Sequence, residues 1–188
     1  NSLIVGCGAT KIPSSIRCID KYAFMGCMAE ELVIPDGVEK IKFFAFSSCL
    51  NLKKIVIPAS VESIEEHAFY NCPEVISIVV DKNNTDYDSR NGCNAIIYTS
   101  DSKLILGCST TIIPQDIEII GEFAFKNSRN LQRIVVPEGV SCIEDGAFEH
   151  CSSLKEVVLP TTLESFIGGS NFGYCTSLES ITIPKGVY

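Results

Sequence analysis

A short phrase, Ala-Phe, returns along this chain at Ala23-Phe24, Ala45-Phe46, Ala68-Phe69, Ala124-Phe125 and Ala147-Phe148. Neighbouring phenylalanines on this beat lie 22, 23 and 23 residues apart (24 to 46, 46 to 69, 125 to 148). Proline keeps the same period. Pro35, Pro58, Pro137, Pro160 and Pro184 each close an apolar run: Leu32-Val33-Ile34, Ile55-Val56-Ile57, Ile134-Val135-Val136, Val157-Val158-Leu159 and Ile181-Thr182-Ile183. Runs of this kind make short strands, and proline stops them because it has no N–H to give to a ladder. In the coil from Cys49 to Phe69 the inward set is Leu52, Ile55, Ile57, Val61, Ile64, Ala68 and Phe69. A unit this small cannot bury that set alone, so units must stack, each adding a strand to a parallel sheet about 4.8 Å from the last. The period therefore predicts a β-rich solenoid with little α-helix and coils of about 23 residues.

The interval from Phe69 to Phe125 is 56 residues, about ten too many for two coils. A polar loop, Asp81 to Asp88, is followed there by Ala95-Ile96-Ile97-Tyr98, a turn at Ser100-Asp101-Ser102, and Leu104-Ile105-Leu106. This pattern predicts a β-hairpin inserted near residues 81–108. The N-terminal Ser2-Leu3-Ile4-Val5-Gly6-Cys7 matches Lys103-Leu104-Ile105-Leu106-Gly107-Cys108, and Lys185-Gly186-Val187-Tyr188 opens another coil. Residues 1–188 are thus expected to form a single solenoid domain that is a fragment of a longer array. The strand Leu3-Ile4-Val5 lacks the hairpin partner that Leu104-Ile105-Leu106 has. Residues 1 to 7 are accordingly expected to be displaced or to pair with another chain, an edge-mediated self-association.

The phrase Ile-Pro-x-x-Val-x-x-Ile-x-x-x-Ala-Phe-x-x-Cys-x-x-Leu-x-x-Ile-x-Ile-Pro resembles the BspA-type leucine-rich repeat family of bacterial surface proteins. The insertion from Tyr87-Asp88-Ser89-Arg90 through Cys93-Asn94-Ala95-Ile96-Ile97 is similar to a hairpin variant found in gut-commensal arrays. The resemblance implies a right-handed leucine-rich repeat solenoid, export to the cell surface, and adhesion to host matrix proteins or other cells; it implies no particular ligand. Two departures stand out. The asparagine ladder of leucine-rich repeats is replaced by Ser15, Gly37, Ser60, Gly139 and Thr162, and the last coil carries Gly168-Gly169-Ser170-Asn171-Phe172 in place of Ala-Phe. A bulged final coil is expected.

Fifteen Lys plus Arg against 23 Asp plus Glu give a net charge of -8, which repels phosphate backbones and excludes nucleic acid as a partner. No apolar run approaches the roughly 18 residues of a membrane span, and an export signal is expected outside this segment.

Ten cysteines invite a disulfide reading. Cys27, Cys49, Cys72, Cys151 and Cys175 all fall three residues after a coil's phenylalanine, so they occupy one position in successive coils. Stacking holds their Cβ atoms about 4.8 Å apart and parallel, whereas a disulfide needs about 3.8 Å and convergence. A ladder of buried, reduced thiols is expected, with Cys7, Cys18, Cys108 and Cys142 as further packing thiols. Without CxxC or CxxH clusters no metal site is expected, and no cofactor. His67 and His150 are the only histidines; a His150–Cys151 nucleophile pair is conceivable, but cysteine recurs in coils without histidine, so both are read as surface polar residues and no catalytic residue is assigned. Asp81, Asp86 and Asp88 lack the spacing of a calcium loop and are read as a solvated turn; Asn83-Asn84-Thr85 matches a glycosylation sequon, a motif frequent by chance.

The outward positions of the strands are the candidate binding site. Val33, Val56, Val79, Val135, Val158 and Thr182 sit between inward residues in successive coils. A second row, Glu31, Lys54, Ser77, Arg133, Glu156 and Ser180, juxtaposes Glu31 with Lys54 and Arg133 with Glu156. Valine belongs there for β-propensity alone and the charges for cross-strand pairing; equally, a contiguous apolar strip on a sheet face is a partner site. The candidate site is Val33, Val56, Val79, Val135, Val158 and Thr182 with Lys54, Arg133 and Glu156. Together these features suggest a non-enzymatic module that binds an extracellular protein or cell-surface polymer. The alternative is a structural spacer holding another domain away from the cell.

Overall fold

The computed structural model describes residues 2–3 and 11–187. In chain order the strands are β1 (Ser2–Leu3), β2 (Cys18–Ile19), β3 (Glu31–Val33), β4 (Lys40–Ile41), β5 (Lys54–Ile57), β6 (Ser63–Ile64), β7 (Ser77–Val80), β8 (Tyr87–Asp88), β9 (Ile96–Tyr98), β10 (Lys103–Leu106), β11 (Ile119–Ile120), β12 (Arg133–Val135), β13 (Cys142–Ile143), β14 (Glu156–Val158) and β15 (Ser165–Phe166). A regular coil has two: a longer strand ending at the proline and a two-residue strand before the Ala-Phe turn. The longer ones pair in parallel as β3-β5-β7 and β12-β14; the shorter ones as β1-β2-β4-β6 and as β10-β11-β13-β15. Register follows the repeat: Leu32 faces Ile55 and Ile55 faces Ile78, while Ile19 faces Ile41 and Ile41 faces Ile64. A one-residue slip would turn every one of these side chains into water.

The inward set is buried as the pattern requires, Ile64 excepted, which is half-buried. Coil phenylalanines stack ring on ring, Phe24 on Phe46 on Phe69 at 5.2 and 5.4 Å, and Phe125 on Phe148 on Phe172 at 5.1 and 5.3 Å. The core accordingly forms two clusters, which meet at the insertion.

The Ala-Phe turn continues the hydrogen-bonded stacking where no strand runs. The N–H groups of Phe24 and Gly26 donate to the carbonyls of Ala45 and Ser47, both at 2.7 Å, and Phe46, Ser48 and Phe125 repeat the pattern at 2.8 Å. Two residues per turn hold a left-handed backbone, as in Tyr22 and Gly26, Phe44 and Ser48, His67 and Asn71, Phe123 and Asn127. The cysteine of each coil then donates to the phenylalanine carbonyl of the preceding turn, in most coils a carbonyl that already accepts a backbone N–H of its own turn. The thiols of Cys49 and Cys72 donate to Phe24 O and Phe46 O at 3.3 Å, and those of Cys151 and Cys175 to Phe125 O and Phe148 O at 3.1 Å. Every described cysteine is a free thiol; Cys27 and Cys49 sulfurs are 3.2 Å apart, a thiol contact and not a bond. Cys7 lies outside the described residues.

Hydroxyls replace asparagine in the turn after the proline. Ser60 Oγ accepts from Gly37 N at 2.9 Å and donates to Val38 O at 2.8 Å; Thr162 Oγ1 serves Gly139 N and Val140 O, both at 3.0 Å. In the next coil Asn84 takes the place of Ser60, its amide donating to Pro58 O and Val61 O, both at 2.9 Å. Asn84 is buried, so the loop read as a solvated turn is anchored in the array at its centre.

The final coil departs from expectation at Ile181-Thr182-Ile183, which forms no strand. Upstream, Gly169 N and Ser170 N bind the Asp145 carboxylate at 3.1 and 3.2 Å, Asn171 occupies the alanine position and Phe172 keeps its place in the stack; Cys175 and Leu178 repeat the bonds of the preceding coil, and only the strand after them is missing. Of the N-terminal segment, Ser2–Leu3 pairs in parallel with Cys18–Ile19, so this part is seated on the array and not displaced; the remainder of residues 1–7 lies outside the described residues.

The insertion is a hairpin. β8 and β10 flank β9 in antiparallel pairing, and β10 continues in parallel into β11. Tyr87 is buried, and its hydroxyl accepts from Ile64 N at 2.8 Å, doing for β6 what a regular strand would. The coil carrying the hairpin is short elsewhere. Sixteen residues separate Ile41 from Ile57, Ile64 from Val80 and Ile120 from Val136, but only nine separate Leu104 from Ile113. The missing seven are the Ala-Phe turn. Gly107 stands in its place, beneath the Phe125 ring, where a Cβ would lie 2.2 Å from Cε1.

Candidate functional site

The long-strand face carries the valine row. Val33, Val56 and Val79 are register partners on β3, β5 and β7, as are Val135 and Val158 on β12 and β14. Val33 is 56% exposed, Val79 45%, Val135 42% and Val158 38%, while Val56 is half-buried by its neighbours on both sides. Beside them Lys54 pairs with Glu31 at 2.7 Å and Arg133 with Glu156 at 2.8 Å. All four charged side chains are about half exposed, so these pairs add little stability. Thr182 is exposed but outside any strand and does not extend the row.

Between the two valine groups stands the segment Ser89 to Asn94. Ser89 Oγ donates to Ile78 O at 3.1 Å and Ile112 N donates to Cys93 O at 3.1 Å. Arg90 is held there by Asp88, at 2.7 Å, and by Asp116. Ile112 precedes Ile113-Pro114 as Val56 precedes Ile57-Pro58, and it is the most exposed large apolar side chain described, at 78%. Ile112 lies 23 residues before Val135, on the beat of the downstream coils, and was passed over because Thr111 stands where those coils carry the inward Ile134 and Val157, so no apolar alternation marks a strand there.

A second feature lies at the Ala-Phe turns. The residues before alanine, Tyr22, Phe44, His67 and Phe123, form one continuous row: Tyr22 on Phe44 at 5.8 Å, Phe44 on His67 at 5.4 Å, His67 against Phe123 at 5.2 Å. Phe123 then covers Gly146, where a Cβ would lie 2.2 Å from its ring. His67 is therefore no surface polar residue. Its side chain is only 15% exposed, and Nδ1 is buried without a hydrogen-bond partner. His150 fits the surface reading better, stacked on the exposed Tyr174 at 4.3 Å.

Because the hairpin coil lacks its turn, a cleft of about 470 Å³ opens between the turns on either side. Ile105, Leu106 and Gly121 line it with the rings of His67, Tyr70 and Phe123, and Glu65, Glu66, Glu122, Glu144 and Asp145 are also at its walls. The aromatic column before Ala-Phe was a signal available in the sequence; the cleft was not, because it arises from absent residues. Among the described residues no group of three His, Cys, Asp or Glu side chains is placed to hold a metal ion, and no helix is long and apolar enough to cross a membrane.

Stacked coils with two parallel strands each, a proline-stopped strand and a thiol-capped aromatic turn define a leucine-rich repeat β-solenoid. The chain belongs to the BspA-type leucine-rich repeat family, whose model matches residues 7–99 and 105–188 in six copies. Among solved structures, the pneumococcal vaccine antigen PcpA is similar with a TM-score of 0.61 and 21% identity, over 81% of this chain and 51% of its own. A leucine-rich repeat protein from Eubacterium ventriosum gives 0.50 and 18%, over 89% of this chain and 64% of its own. The chain thus spans between half and two thirds of these structures, and the likeness is one of fold. No curated protein sequence matches the chain.

Proposed function

We propose that residues 1–188 act as one non-enzymatic binding module of an exported bacterial cell-surface protein, and that the outward face of the long-strand sheet engages host matrix proteins or cell-surface polymers. One observation carries this reading: Val33, Val56 and Val79 form one register-matched group and Val135 and Val158 another, with Ile112 exposed on the coil between them, and among the described residues all of these but the half-buried Val56 are left exposed to water. Apolar strips of this kind on a solenoid face are partner sites. The ion pairs flanking the row, Lys54–Glu31 and Arg133–Glu156, bear on orientation and encounter rate more than on affinity. Membership of the BspA-type family supports surface display and adhesion. Against an enzymatic role stands the geometry at the one Cys-His neighbour pair: Cys151 donates to Phe125 O, while His150 stacks on Tyr174.

A spacer would present the same coils and bind nothing. The discriminating experiment is a screen of this chain against extracellular-matrix proteins and bacterial surface polymers, by immobilised-ligand binding. Saturable binding to at least one of them is expected; uniform failure across the panel would favour the spacer.

A further inference from the structure

The cleft left by the missing turn has a chemistry of its own. Its lining holds five carboxylates and one lysine, and Lys103 is taken up by Glu144 at 2.7 Å. Three of the carboxylates are engaged within the fold: Glu65 accepts from Phe43 N at 2.9 Å, Glu144 from Lys103 and from Glu122 N, and Asp145 from Gly169 and Ser170 N. Two are not. Glu66 makes no hydrogen bond or ion pair among the described residues, and the Glu122 carboxylate has only His67 Nε2 near it, at 3.7 Å. The buried His67 Nδ1 has no hydrogen-bond partner.

The aromatic lining already attracts a cation. Lys126 Nζ lies 4.8 Å from the Tyr70 ring centre and 4.3 Å from that of Phe123, with Glu149 at 2.5 Å. Burial alone would lower the Lys126 pKa, yet Glu149 and Tyr70 hold it above its ordinary value. Ring faces and free carboxylates at one recess attract positive charge and repel negative. Ile105 and Leu106 offer no oxygen ligands for a bare ion, but they suit an aliphatic stem. A long side chain with an apolar stem and a cationic tip matches both parts.

We infer that this cleft receives a lysine or arginine side chain of a partner protein, the stem lying on Ile105 and Leu106 and the charge meeting Glu66, Glu122 and the ring faces of the aromatic wall. The site is separate from the valine row and does not depend on it. The test is an NMR titration of the whole chain with a short Gly/Ser peptide bearing one central arginine, following the ring signals of His67 and Phe123. A matched peptide with neutral citrulline serves as control. The arginine peptide should shift both rings saturably in the millimolar range, with citrulline weaker by about tenfold. The exposed double substitution Glu66→Gln/Glu122→Gln should weaken arginine binding several-fold while the spectrum stays folded, and Val56→Glu/Val135→Glu should leave it unchanged. Equal shifts from both peptides, no saturable shift at these rings, undiminished binding by the carboxamide variant, or loss in the valine variant would each overturn the assignment.

Discussion

Tyr22, Phe44, His67 and Phe123 hold backbone angles of φ 59, 54, 59 and 53°, a left-handed conformation that costs an L-residue about 1–2 kcal/mol. Glycine would avoid the cost, and Gly146 does so one coil later. The rings are kept because each stacks on the next, and because the strained turn aims N–H groups at the following coil. Gly107 is fixed for the opposite reason, since Phe125 needs its Cβ space. Gly107→Ala should destabilise by about 1–3 kcal/mol in denaturant titration, and an unchanged midpoint would show that the ring can move aside. The thiols make a second residue-scale prediction. The hydrogen bond from Cys49, then burial, hold Cys27 well above its ordinary value. For Cys49 the contact with Cys27 acts downward, but that with Cys72 and burial outweigh it and push the thiol up to about 12. The stability tied to a raised pKa is fully present below the ordinary value of 9.0 and is lost as pH climbs toward about 12. Alkylation at about pH 8 should therefore label the half-exposed Cys18, Cys72 and Cys142 first and spare Cys27, Cys49 and Cys151 until unfolding. Early labelling of Cys49 would contradict this packing.

At the scale of elements, the hairpin is what breaks the monotony of the array, and Asn84 is its anchor. Its amide serves Pro58 O and Val61 O, while Oδ1 accepts from Asp86 N at 3.0 Å and Tyr87 N at 2.8 Å. Asn84→Ala should cost about 2–4 kcal/mol, because buried backbone groups lose their partners; a loss below that of an ordinary surface change would show water taking the amide's place. The hairpin was legible in the sequence because Ala95 to Tyr98 and Leu104 to Leu106 are plain strand runs around a polar turn. The inward set was legible for the same reason, a period that only stacking can satisfy. Asn84's role was hidden, since a polar residue among aspartates and asparagines reads as loop until the neighbouring carbonyls are placed. His67 was misread likewise: its surroundings come from Phe44, 23 residues before it, and Phe123, 56 residues after. At Ile181 to Ile183 the letters fit the period, yet no strand forms there although Phe172, Cys175 and Leu178 just before it keep the bonds and stacking of the repeat.

At the scale of the whole molecule, two surfaces are proposed as partner sites: a mostly apolar row along the long-strand sheet and an acidic, aromatic cleft on the other strand row. Position on the row was readable from periodicity alone for the five valines, but Thr182 fits the period without joining a strand; whether the row serves a ligand was not readable, since an outward valine serves a sheet and a ligand equally well. The energetic asymmetry between faces supplies the test. Ile55→Ala, inward, should cost about 2–5 kcal/mol, whereas outward changes at the neighbouring position disturb the core little. The decisive measurement is therefore paired: the melting temperature of Val56→Glu/Val135→Glu and its affinity for whichever matrix protein or surface polymer the wild-type chain binds. The account predicts a melting temperature close to wild type and affinity reduced by at least about tenfold. A folded double variant that binds with undiminished affinity would contradict it, and would show that the valines serve the sheet alone.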